Sequence, residues 1–250
     1  AGGGFSNQAV ASHSVVVGGV SSMAFGTCSF IGGGCKNKAS GVESSIVGGA
    51  SGTASGARSF IGGGGVNLAS GEESTVVGGL SSCASGAEAA VLGGVYNRAT
   101  GQRSVVVGGG NNITSGISAA TVAGDTNTSS GPAAFIGAGK NNEATATYTS
   151  IVGGLSNLVT GEGASVVGGV SGTACGTCSV VVGGDNNVAE GKNSFVGGGS
   201  RNIASGLSSF VGGGTCNITR SVGSTVVGGA SSIACGRFTF IGGGYNNYIN

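Results

Sequence analysis

Along the chain, apolar residues and glycines return every fifteen residues without a break. Numbered from Ser14 as position one, the sequence falls into a partial first repeat ending at His13, fifteen complete repeats, and a partial last one beginning at Thr239. Ser194 to Ser208, SFVGGGSRNIASGLS, is representative. A fixed short period means that each repeat is one turn of a coil resting on its neighbours, because no single repeat can bury its own apolar face. Two stretches alternate as strands do, positions one to four and nine to twelve, with glycine-containing turns between them. Position three is Val, Ile or Thr in every repeat from Val16 to Ile241. That regularity predicts a β-position flanked by its own copies. The expected fold is all-β, a parallel β-solenoid of 15 residues per coil and about 17 coils, forming a single domain over residues 1–250.

Composition sharpens the picture. The chain holds 58 Gly, one Pro and no Trp. Position six is Gly in all seventeen repeats, position five in fifteen and position thirteen in thirteen of sixteen. Such placement predicts positive φ or close backbone approach, not a flexible linker. All nineteen charged residues, ten basic and nine acidic, lie at positions seven, eight, ten, twelve, fourteen and fifteen. Positions nine and eleven are therefore expected to face inward, and ten and twelve outward. A net charge of +1 gives no electrostatic footprint for nucleic acid. No apolar run reaches the eighteen residues of a membrane span. Ala1, without an initiating Met or a basic signal start, reads as a processed or excised beginning.

Position nine is Asn in twelve repeats, among them Asn37, Asn67, Asn97, Asn112, Asn187, Asn202 and Asn217. Stacked Asn can bond from coil to coil while satisfying buried backbone groups. The sequons at Asn112, Asn127 and Asn217 fall in this inward row, which favours a structural ladder over glycosylation.

Positions two and four vary together. Where position two is Phe (Phe30, Phe60, Phe135, Phe195, Phe210, Phe240), position four is Gly; in the other complete repeats position four is Val or Leu, as in Val17, Val47, Val77, Val107 and Val182. Residues two apart share a strand face, so the ring takes the place of an aliphatic side chain, an exchange expected in a confined space. With position three also apolar, one face of this strand closes the coil and the other is left as an apolar strip. A strip of that extent exceeds what a soluble monomer exposes, so these Phe and Val residues are the expected interface of a lateral oligomer.

Candidate chemistry is sparse. His13 is the single histidine, and the seven Cys never share a position in adjacent repeats. Cys175 and Cys178 have CxxC spacing but no second pair, and they occupy outward positions. No catalytic, cofactor-binding or metal site is expected, and no cofactor. At position fifteen, Glu43, Arg58, Glu73, Glu88 and Arg103 follow one another, which predicts a surface charge ladder. Residues 119–148 fit the pattern least well, with Thr121, Ala123, Ala138, Ala146 and Pro132, and read as drift.

The recurring S-x-V-x-G-G-x-x-N-x-A-S-G, as in Ser179 to Gly183 and Ala204 to Gly206, resembles the head repeat of YadA-like trimeric autotransporter adhesins. The likeness extends over all 250 residues, with a unit one residue longer that adds a second Gly and the Asn. It implies a left-handed β-roll, three chains side by side, and attachment to a host-surface glycan or matrix ligand. The expected function is a non-enzymatic segment of an extracellular fibre or adhesin, on a cell surface or virion. A competing expectation is an ice-binding solenoid, since position twelve is Ser or Thr in ten repeats, interrupted by Phe25, Glu190 and Arg220. Neither terminal repeat has the sequence of a polar cap, which predicts head-to-tail continuation of segments about 80 Å long, seventeen coils at the usual strand spacing.

Overall fold

The computed structural model describes residues 2–250. The chain is an all-β parallel β-solenoid of about 16 turns, about 15 residues per turn, with no helix among the described residues. It divides into two compact units, one ending at Thr126 and the other spanning Asn127–Asn250.

In the first unit, strands from Val15–Val16 to Ala120–Thr121 make one parallel ladder, and strands from Gln8–Ala9 to Ile113–Thr114 make a second. Val15 pairs with Phe30 and Gln8 with Met23, so the register advances by one repeat at each step. The second unit repeats the plan, from Phe135–Ile136 to Phe240–Ile241 and from Thr128–Ser129 to Tyr248–Ile249. There Phe195 pairs with Phe210 and Ile203 with Ile218. The strands are shorter than the alternation predicts. Each is two residues long, at positions two and three or ten and eleven. Single bridges at position seven, such as Phe5 to Val20 and Lys140 to Leu155, add a third row of pairing.

The core is one residue deep from each ladder. Position three points inward, with Ile31, Ile46 and Ile61 at 0–1% exposure, and meets the small Ala24, Ala39 and Ala54 of position eleven. Ala suits the second site because opposed large side chains would force the two short ladders apart. Where position eleven is Thr114 and position three is Thr121, the two hydroxyls bond each other at 2.9 Å, so the buried polar pair is satisfied. Position one is a third buried row. Ser44 and Ser224 each donate from Oγ to the carbonyl three residues back, at 2.8 and 2.7 Å, closing the turn that leads into the strand.

The three glycine rows have three different physical origins. Position six has φ near +90°, as at Gly34 (92°) and Gly64 (86°), and a Cβ there would also strike the next coil's backbone. Position thirteen has no positive φ, but a Cβ on Gly56 would lie 1.9 Å from the Gly71 carbonyl oxygen, so close coil approach alone favours Gly there, with Ala11, Ala146 and Ser221 the exceptions. Position five meets neither condition. A Cβ on Gly63, Gly78 or Gly93 would find nothing within 4 Å, and no position-five glycine has positive φ.

Positive φ is not confined to glycine: it recurs at positions eight and fifteen, on residues such as Lys36 (φ 54°), Val66 (55°), Glu43 (59°) and Tyr96 (57°). These positions reverse the direction of hydrogen bonding. Strand amides donate forward to the next coil, as Val17 N to Ile31 O at 2.9 Å, whereas Lys36 N donates back to Val20 O and Glu43 N back to Thr27 O, both at 2.8 Å. A bonded amide at each such residue offsets part of the cost of about 1–2 kcal/mol that an L-residue bears in this conformation.

Candidate interaction surface

Positions two and four face outward on one ladder of each unit. Phe30, Phe135, Phe210 and Phe240 are exposed, Phe60 and Phe195 half-buried, and Val17, Val47, Val77, Val107 and Val182 are all exposed. The structure thus places the predicted interface residues of each unit side by side along one face. The site is not the confined space expected from the Phe and Gly exchange; it lies on the outside. Each ring leans over the glycine of its own coil, with Cε1 3.4 Å from where a Cβ of Gly197 would lie and 3.5 Å for Gly32 and Gly62. That Cβ would also sit 2.4 Å from the carbonyl oxygen of Gly212 in the next coil, so the backbone, more than the ordinary contact with the ring, requires Gly at position four in this Phe coil. The ring covers ground that Val occupies elsewhere, and the face stays level. Phe195 and Phe210, in adjacent coils, stack with centroids 5.2 Å apart and planes within 3°.

The strip continues past the glycines to position seven, which sequence reasoning did not include. Val20, Leu80, Val95, Leu155 and Val170 are each at least 40% exposed. All five stand in coils with an aliphatic side chain at position four, whereas Phe coils carry Cys35, Gly65, Lys140, Ser200, Thr215 or Tyr245. The pattern is one-way, since the other five coils with an aliphatic position four carry Ala50, Gly110, Asp125, Asp185 or Ala230; it was open to inspection in the sequence, but position seven lies between the two alternating stretches and reads as turn.

The asparagines lie inside. Asn37, Asn67, Asn97, Asn112, Asn187, Asn202 and Asn217 are at most 2% exposed. Asn202 shows the bonding: Nδ2 donates to Gly198 O at 2.8 Å and Gly214 O at 2.9 Å, and Oδ1 accepts from Asn217 N at 3.0 Å. One side chain therefore fastens its own glycine turn, the turn of the next coil and the entry to the next strand. Asn97, Asn112 and Asn187 fasten their own coil and the next in the same way.

Of the charge ladder, Arg58 bonds Glu73 at 2.8 Å and Glu72 at 2.5 Å, all three exposed. Its bond to Glu73 and the charge beside it hold the Arg58 guanidinium even more firmly protonated than usual. Glu43–Arg58 and Glu88–Arg103 make no ion pair, so the ladder reduces to one cluster.

Cys175 and Cys178 are free and exposed. Burial, then the charge of Glu190, pushes the Cys175 thiol up, and its Sγ donates to Ala189 O at 3.8 Å. A redox-active CxxC thiol needs the opposite shift, because the thiolate is the nucleophile. Among the described residues no pocket opens, and no three of His, Cys, Asp and Glu gather as metal ligands. With no helix among them, the described residues include none long and apolar enough to cross a membrane. Compared with models of known protein families and with curated proteins, the chain matches none.

Proposed function

We propose that this chain is a non-enzymatic structural segment of an extracellular fibre or adhesin, on a cell surface or virion, that assembles side by side with copies of itself. The observation that carries the reading is the exposed apolar face at positions two and four, renewed at every coil, with Val47 and Val77 half exposed and Phe rings between them. Apolar surface of this regularity stays soluble when it is covered. Three chains around one axis is the stoichiometry that the resemblance to YadA-like heads implies, and head-to-tail continuation would lengthen the fibre. Surface rows of varied polar residues, such as Lys38, Arg98 and Glu143 at position ten, would then meet the surroundings, a host glycan or matrix ligand among them.

Sedimentation velocity of the purified chain from nanomolar to high micromolar concentration tests the reading. A concentration-dependent rise to a discrete oligomer is expected. A monomer throughout that range would overturn it.

A further inference from the structure

Glycine at position five recurs in fifteen of seventeen repeats, yet the fold of the chain gives no reason for it. The backbone there is not left-handed, and in twelve of the fifteen a Cβ would meet nothing within 4 Å; Gly18, Gly153 and Gly213 would touch one carbonyl oxygen at 3.9–4.0 Å. The structural duty of the position is performed by its carbonyl, which accepts from the Asn four residues on, as Gly33 O does from Asn37 Nδ2 at 2.9 Å. Ala138 performs that duty equally, accepting from Asn142 Nδ2 at 3.2 Å. A side chain is therefore compatible with the coil, and the preference for Gly in the other fifteen repeats has its cause outside the coil.

We propose that the position-five glycines are the line along which the backbone of a second copy of this chain approaches, so that the lateral interface is centred on position five and not on position two. The inference rests on the self-assembling reading above and says where the copies touch. In five coils exposed aliphatic side chains stand on either side of the glycine, as Val77 and Leu80 about Gly78 and Leu92 and Val95 about Gly93, while in the others position seven is small, polar, aromatic or charged, as at Asp125, Lys140 and Asp185. They make ridges beside a floor without side chains. Positions one to six carry no charge in any repeat, so the floor and its inner ridge suit an uncharged apolar partner. A second copy meets that need with the same axial spacing from coil to coil. From position two to position seven the strip is about 16 Å wide, and eight coils at about 4.8 Å extend it to about 38 Å, giving about 600 Å2 in one unit. Two such strips face to face bury about 1,200 Å2 in total, the lower end of the range of specific interfaces.

The test places Gln at Gly63, Gly78, Gly93 and Gly108 together in the full chain. Sedimentation velocity reads association, and circular dichroism with a thermal melt reads the fold. The expected result is a folded solenoid whose self-association is at least tenfold weaker. The control variant Val42→Gln with Ile117→Gln removes two exposed aliphatic side chains at position fourteen, away from the strip, and should associate as the unmodified chain does. Ala at the same four glycines adds only a methyl group, which Ala123 and Ala138 already carry; it should weaken association severalfold with the melt unchanged. If the unmodified chain associates and the Gln variant does so equally, the glycine line is wrong and lateral assembly stands. If the unmodified chain is monomeric, both fail. Loss of fold in the Ala variant would show that the coil itself requires these glycines, and it too would overturn the inference.

Discussion

Replacing Asn202 by Ala removes one rung of the buried ladder. Three bonds go: Nδ2 to Gly198 O and Gly214 O, and Asn217 N to Oδ1. Their costs are unequal. Gly214 O keeps the amide of Ser200 at 2.9 Å, whereas the Gly198 carbonyl and the Asn217 amide lose the partner just described. An orphaned buried donor or acceptor costs about 1–3 kcal/mol, so two of them, one partly open to water, predict a loss of about 2–4 kcal/mol. The chain supplies its own calibration in Ser22, whose Oγ accepts the Asn37 amide at 3.4 Å. Asn202→Ser should therefore recover part of the loss, by about 0.5–1 kcal/mol. Coils contact only their neighbours, so the damage should be local. Native-state hydrogen exchange resolved by residue is the appropriate assay. The Asn217 amide should exchange faster in the Ala variant by the factor that 2–4 kcal/mol implies, roughly 30- to 1,000-fold, while the Asn157 amide, bonded to Asn142 Oδ1 three coils away, keeps its rate. A change of less than about fivefold at Asn217, or an equal change at both amides, would refute the account of the ladder.

Three further outcomes are expected. Val66, β-branched at φ 55°, should gain about 1 kcal/mol on replacement by Gly, read as a higher denaturation midpoint, because the glycine removes a strain that the Ala50 carbonyl bond only offsets; unchanged or lower stability would count against the strain argument. Gly197→Val should cost about 1–3 kcal/mol, and adding Phe195→Val should restore most of it by recreating the sequence of Val180 to Val182, whereas an equally unstable double variant would mean that the backbone cannot change from one arrangement to the other. The sequons at Asn112, Asn127 and Asn217 should stay unmodified when the folded chain is offered to an oligosaccharyltransferase, since each side chain is buried and its Nδ2 is bonded to a glycine carbonyl; a glycan found by mass spectrometry on any of them would contradict that burial.

What the sequence made legible was whatever repeats in kind. Ile31 and its copies at position three, Ala24 and most of its copies at position eleven, and the Asn row each hold a narrow set of residue types because each faces a fixed interior neighbour. Positions eight and fifteen were illegible because the requirement there falls on the backbone, and Ser21, Lys36, Val66 and Tyr96 all meet it at tolerable cost. The glycine rows misled for the converse reason. One residue type answers three demands, left-handed φ at Gly34, coil contact at Gly56 and open space at Gly78, and only coordinates separate them. Strand length was overread because apolar alternation continues past the two residues that actually pair, into outward positions such as Val47 and Val77. The exposed apolar face was legible as an excess of apolar positions, but its extension to Leu80 and Val95 was hidden by their place in a turn.

The fifteen-residue register has a kinetic consequence. Strand partners such as Val76 and Val91 are 15 residues apart in a chain of 250, which gives a relative contact order of about 0.06. All-β proteins usually fall near 0.16–0.22 and fold in milliseconds to seconds, while values near 0.1 belong to helical bundles. This chain thus combines the hydrogen bonding of a sheet with the short loop closures of a bundle. Once two adjacent coils have formed, each further one docks on a finished template with a loop of constant length, so the loop-closure cost of the next coil does not grow with the number already in place.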